Sequence, residues 1–132
     1  MTDPTGGSAA RTSWTHEQLD LLAGTDVLEI SSTRADGSFS PWWPIWVVVV
    51  GGEVFVRSTD GPDKVWFRNA LRRGSGRIRA DATVIAVVFE DDRERPQGAI
   101  AEAYLSKYRA SSPWSLRRAS TSTSTIRLSP AP

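Results

Sequence analysis

The side chains best suited to chemistry lie close together in the middle of the chain. Arg57-Ser58, then Gly61, Lys64 and Arg68, occupy a polar stretch that follows the strand-like run Glu53-Val54-Phe55-Val56. Basic and hydroxyl groups gathered around a glycine suit an anion. The glycine exposes backbone N–H groups, and a helix starting near Lys64 adds partial positive charge. Phosphate is the first candidate. The opposing reading is a solvated loop in which Asp60 and Asp63 neutralise Arg57 and Lys64.

Composition excludes much else. The chain of 132 residues is long enough for one domain, read here as residues 14–132 behind a polar, disordered tail over 1–13. Sixteen Lys+Arg stand against 15 Asp+Glu, with no cationic excess for general nucleic-acid binding. With no cysteine, disulfides, thiol nucleophiles, Cys-based zinc sites and iron–sulfur clusters are ruled out. The one histidine, His16, argues against a His-based metal site or a Ser-His-Asp triad, so no metal is expected. No apolar run approaches the ~20 residues of a membrane span, and no secretory signal is visible. The expectation is a soluble, cytoplasmic protein with no membrane partner.

Local patterns give the elements that must position the loop. Thr15-His16-Glu17-Gln18 reads as a capping box opening a short helix that Gly24 ends, with His16 a solvated first-turn residue. Strands are expected from Asp26 to Ser32, Trp43 to Val50 and Glu53 to Ser58. Gly51-Gly52 makes a two-residue hairpin turn between the last two. Pro41 and Pro44 place the start of the second strand at an edge or bulge, because proline donates nothing to a ladder. A helix follows from Lys64 to Arg72, closed by Gly74-Ser75-Gly76. Arg77-Ile78-Arg79 alternates as a half-buried strand, and Thr83 to Glu90 is apolar and β-branched. A late helix runs from about Gln97 to Tyr108, residues 110–122 are loop-like or briefly helical, and a last strand runs from Thr123 to Leu128. Six strands and about three helices make a mainly β (α+β) fold, an antiparallel sheet or barrel.

The order of these elements resembles a known group. Leu28-Glu29-Ile30, the turn at Asp36-Gly37, Pro44-Ile45-Trp46-Val47, Gly51, Val54-Phe55-Val56-Arg57-Ser58, Gly61, Trp66-Phe67-Arg68-Asn69-Ala70-Leu71 and Arg77-Ile78-Arg79 follow in the register of the flavin-binding split β-barrels. These are the pyridoxamine-phosphate-oxidase-like superfamily and its deazaflavin-dependent nitroreductase branch. More closely, the chain resembles the bacterial domain of unknown function 2255, over roughly Asp26 to Leu128. The resemblance implies a six-stranded antiparallel split barrel with flanking helices, a homodimer, and FMN or F420 held without a covalent bond at the subunit interface. The implied activity is oxidation or reduction of a small organic substrate. It also implies roles. Arg57, Ser58, Gly61 and Lys64 match the cofactor phosphate loop, Trp66 and Asn69 begin the helix behind it, and Pro44, Ile45 and Trp46 match the strand along the isoalloxazine ring. One departure stands out: the deazaflavin branch usually carries an arginine three residues before that proline, where this chain has Pro41. Arg34 is a candidate substitute.

Other features carry two readings each. Alternation puts Trp42 and Trp46 on one strand face and Trp43 on the other, so the three cannot all line one pocket. Tyr104 and Tyr108, four apart on a helix, could supply a proton or cap a core; the second is commoner. Arg72-Arg73 and Arg117-Arg118 read as solvated charge. Two functional alternatives to the oxidoreductase remain. One is a cofactor-free split barrel that binds a small apolar or aromatic ligand or catalyses a non-redox step. The other is a dimer whose tryptophan stretch binds a partner.

Overall fold

A computed structural model describes residues 13–58, 63–93, 97–121 and 124–132. Nearly all of the expected tail, and Gly61 of the expected phosphate loop, lie outside the described residues. The elements are α1 (His16–Ala23), β1 (Val27–Ser32), β2 (Trp43–Val50), β3 (Glu53–Arg57), α2 (Val65–Arg73), β4 (Ser75–Ala80), β5 (Thr83–Asp91), α3 (Gly98–Lys107), α4 (Pro113–Thr121) and β6 (Thr125–Pro130).

The six strands close into a barrel in the order β1-β2-β3-β6-β5-β4, every neighbour antiparallel. The capping box forms as expected: Gln18 N–H donates to Thr15 Oγ1 at 3.1 Å, and Thr15 N–H donates to Gln18 Oε1 at 2.9 Å. Gly51 and Gly52 turn the β2–β3 hairpin with φ of 59° and 79°, a pairing that side chains rarely tolerate.

The two faces of β2 explain how the layers assemble. Ile45 and Val47 point into the barrel, with Leu28, Ile30, Val54, Val56, Ile78, Val87, Ile126 and Leu128. Val48, one residue out of phase, faces outward and packs with Phe55, Ile100, Tyr104 and Tyr108 beneath α3 and α4. Thus a continuous valine run serves two cores, as a strand covered on both faces should. On the interior side, α1 and α2 contribute Leu22, Phe67 and Ala70 to the barrel core. No helix among the described residues is long and apolar enough to cross a membrane.

β2 is also split along its length. Trp43 to Trp46 pair only with β1, and Val47 to Val50 pair only with β3. Pro44 therefore sits where β2 has a strand on one side only, which accounts for a proline inside a closed barrel. β3 meanwhile continues beside β6, with Arg57 opposite Thr125. A seam opens where β2 and β3 part.

Three boundaries differ from the sequence reading. Residues 113–121 form a full helix, opened by Ser112, whose Oγ accepts the Ser115 N–H at 3.2 Å, and by Pro113 in its first turn. β6 begins at Thr125 and extends to Pro130. Ser75 and Gly76 belong to β4 rather than to a loop. A Cβ at Gly76 would lie 2.1 Å from the Ser31 carbonyl oxygen and 2.9 Å from the Phe89 ring, so this glycine lets a strand pass, not turn.

Candidate functional site

The seam is lined from four directions. The half of β2 that pairs with β1 alone supplies Trp43, Pro44, Ile45 and Trp46, and the end of β3 supplies Arg57 and Ser58. Lys64 and Trp66 come from the start of α2, Ser115 and Arg118 from α4. Together they enclose a cavity of about 250 Å³. Seven of the nine residues singled out from the sequence meet here. Asn69 does not; it lies on an adjoining cavity, and its Oδ1 accepts a hydrogen bond from Arg72 at 2.9 Å.

Charge at this cavity is one-sided. Arg57, Lys64 and Arg118 bring three cations, Ser58 and Ser115 two hydroxyls, and no carboxylate lines it among the described residues. The first turn of α2 beside Lys64 contains no acidic residue to offset its helix dipole. Such a surface suits an anion with several oxygens.

Arg57 is engaged within the protein itself. It is 3% exposed. Its Nε donates to Thr125 Oγ1 at 3.1 Å, Nη1 to the Ala119 carbonyl at 3.0 Å, and Nη2 to Gln97 Oε1 at 2.8 Å. Gln97 Oε1 also accepts from Thr125 Oγ1 at 2.7 Å. One guanidinium thereby ties β3 to β6, to the start of α3 and to the end of α4. Burial holds it below its ordinary pKa, partly offset by the Tyr104 ring 5.5 Å away. Toward the seam it contributes positive potential more than free donors. Lys64, exposed, and Arg118, stacked 4.6 Å from the Trp114 ring, stand nearer solvent.

The two tyrosines are structural. Tyr108 stacks on Trp46 at 4.1 Å with planes 3° apart. Its hydroxyl accepts from Val47 N–H at 3.0 Å and lies 2.8 Å from the Asp26 carbonyl, to which it donates. It continues the β1–β2 ladder past the end of β1. Burial pushes it up to about 12. Tyr104 is fully buried, and burial, then Tyr108, raise its pKa. Neither phenol lines the seam cavity or its neighbour. Lys107 reaches back from α3 to the carbonyls of Val47 at 2.7 Å and Leu22 at 3.1 Å; burial pulls it down to about 8. His16 sits on the surface, 3.7 Å from Asp20. Among the described residues no group of three His, Asp or Glu could hold a metal ion.

A second, larger cavity of about 900 Å³ shares Trp43, Lys64 and Trp66 with the first. It runs between the β1–β2 connection and α2. Trp42 belongs to its wall, its ring held at 4.4 Å by the guanidinium carbons of both Arg77 and Arg79. Trp46 lies on the small cavity and Trp42 on the large one, while Trp43 reaches both. Neither cavity holds all three, as expected, but Trp42 and Trp46 are parted rather than sharing a face, because Trp42 lies ahead of β2, which begins at Trp43. The contribution of Arg118 was missed. Ser112-Pro113 was the available signal for α4, and a helix there puts Ser115 and Arg118 three apart on one face.

A family model described as "uncharacterized protein conserved in bacteria (DUF2255)" matches residues 18–128. The chain belongs to this family. Solved structures share the fold at low identity. Protein Rv2991 of Mycobacterium tuberculosis, a conserved hypothetical protein, superposes with a TM-score of 0.55 at 14% identity, covering 91% of this chain and 81% of its own. An FAD binding protein of Mycobacterium smegmatis does so at 0.54 and 20% identity, covering 90% and 92%. A Bacteroides thetaiotaomicron protein named as a candidate 5-nitroimidazole antibiotic resistance protein follows at 0.51 and 12%, covering 89% and 79%. No curated protein matches the sequence. The DUF2255 chain thus shares its six-stranded barrel fold with these proteins.

Proposed function

We propose that this DUF2255 protein binds a flavin or deazaflavin at the seam and serves as an oxidoreductase for a small organic substrate. One observation carries the reading: three cations and two hydroxyls, with no carboxylate among the described residues, converge where β2 and β3 part. That chemistry fits the phosphate common to FMN and F420. At about 250 Å³ the seam is small for a whole cofactor, since organic ligands occupy roughly 300–1,000 Å³. The ring would extend along Pro44 and Ile45 toward Trp43 and Trp66, where the larger cavity begins. Bound there, the cofactor supplies hydride chemistry, and the protein supplies anchoring and orientation. The FAD binding protein of M. smegmatis, alike in fold, supports a flavin over unrelated phosphate ligands.

A homodimer goes with this reading. Trp43 and Val65, 47% and 69% exposed, stand at the mouth of the cavities, where a second copy would cover them. Sedimentation velocity tests this directly; a monomer at micromolar concentration overturns it.

The cofactor assignment is tested by titrating purified protein with FMN and with F420 while following tryptophan fluorescence. Saturable quenching is expected with one of them, weakened about tenfold or more in a Lys64→Ala, Arg118→Ala double variant. Absence of binding to either, or equal affinity in the variant, overturns the site. The second reading, a cofactor-free barrel for an aromatic ligand, draws on Pro41 in place of the deazaflavin arginine and on the internal use of Arg57's donors. It predicts no quenching by either cofactor.

A further inference from the structure

The larger cavity has a chemistry of its own. At about 900 Å³ it is near the upper end for organic-ligand pockets, with room for a second molecule beside a ring at the seam. Trp43 and Trp66 give it aromatic walls that continue from the seam. Its charge is again lopsided. Lys64 stands at one end of α2, and Arg72 and Arg73 occupy the last turn at the other. Asp36 is the one carboxylate on its wall among the described residues, and it is already satisfied. Its Oδ1 accepts the Ser38 hydroxyl at 2.6 Å and the Ser38 N–H at 3.0 Å, and Arg34 offsets its charge.

We infer that this cavity selects a planar aromatic anion, an arene carboxylate, as the substrate that meets the flavin. Tryptophan faces bind the ring, and Arg72 with Arg73 bind the carboxylate. Lys64, shared by both cavities, stands between the phosphate and the substrate anion. The inference rests on the flavin reading for the word substrate, but not for the binding itself.

The test is calorimetric titration of the full chain with naphthoate and with its neutral isostere naphthamide, in low salt, and in parallel with FMN and F420. Naphthoate should bind about tenfold or more tighter than naphthamide. The preference should shrink in high salt and vanish in an Arg72→Gln, Arg73→Gln double variant whose circular dichroism matches the parent. Equal affinity for acid and amide, binding of neither, or a preference that survives the double variant overturns the inference. The parent protein's own acid-to-amide ratio decides the matter even if the variant misfolds. Cofactor binding without acid preference overturns this inference alone. Acid preference without cofactor binding supports the anion site and overturns the flavin reading.

Discussion

Arg57→Ala is the substitution that most sharply separates architecture from ligand binding. It removes hydrogen bonds to Thr125, the Ala119 carbonyl and Gln97, all at 2.8–3.1 Å and nearly shut off from water. A hydrogen bond to a charged donor contributes about 1.5–3 kcal/mol net, and bonds sharing one guanidinium do not add fully. Relief of the buried charge offsets part of the loss, while the orphaned acceptors add to it. The balance is about 3–5 kcal/mol, against a total stability of about 5–15 kcal/mol for a domain. With a urea slope of about 2 kcal/mol per molar, the unfolding midpoint should fall by about 1.5–2.5 M. Equilibrium urea unfolding followed by tryptophan fluorescence reads it. Arg57→Lys, which keeps charge but loses the planar fork, should fall in between. A midpoint within about 0.3 M of the parent, at equal slope, refutes the role of Arg57 as the clamp on α3, α4 and β6. If cofactor affinity then collapsed in a fully stable variant, Arg57 would be a ligand group.

Three further outcomes follow from the same structure. Gly76→Ala should cost more than about 3 kcal/mol or prevent folding, because its Cβ would sit 2.1 Å from backbone; a melting temperature within a few degrees of the parent would contradict the close strand crossing. Tyr108→Phe keeps the stacking on Trp46 but orphans the Val47 N–H and the Asp26 carbonyl, and should cost about 1–3 kcal/mol by denaturant unfolding. Stability should vary with pH in both directions. Lys107 titrates near 8 folded against 10.5 unfolded, so the unfolded chain holds the extra proton and stability rises from about pH 8 upward. Tyr108 and Tyr104 are raised from 10, so above pH 10 the unfolded chain loses protons first and stability falls. Unfolding midpoints should peak near pH 10, and Lys107→Met should flatten the rising limb; a steady fall from pH 8 would sink the account.

What the sequence disclosed was what depends on near neighbours. The valine run, Gly51-Gly52 and the Thr15–Gln18 box each encode their own geometry, and all formed where expected. Pro44 even located the half of β2 that has a partner strand on one side only. Of the residues singled out after β3 and on the second strand, Arg57, Ser58 and Lys64 share a cavity with Pro44, Ile45 and Trp46. What stayed hidden depends on distant segments. Arg57 reads as a loop cation until α3 and α4 close over it, more than 40 residues later in the chain for Ala119 and Thr125. Gly76 looks like a helix stop because its purpose is set by Ser31 and Phe89. Arg118 gained its place from the docking of α4, which no local pattern specifies.

The position of β6 bears on how the molecule is made. This last strand slots between β3 and β5, so the barrel cannot close until it has left the ribosome. Until then β3 and β5 each present an open edge, the arrangement that invites misassembly. Glu53 on β3 and Glu90 on β5 sit on the two rims of that gap, and like charges there resist the rims zipping to each other. Arg127 of the arriving strand reaches both, at 3.2 and 2.8 Å. The two glutamates that hold the last opening apart are thus the ones Arg127 bridges once the strand is in place.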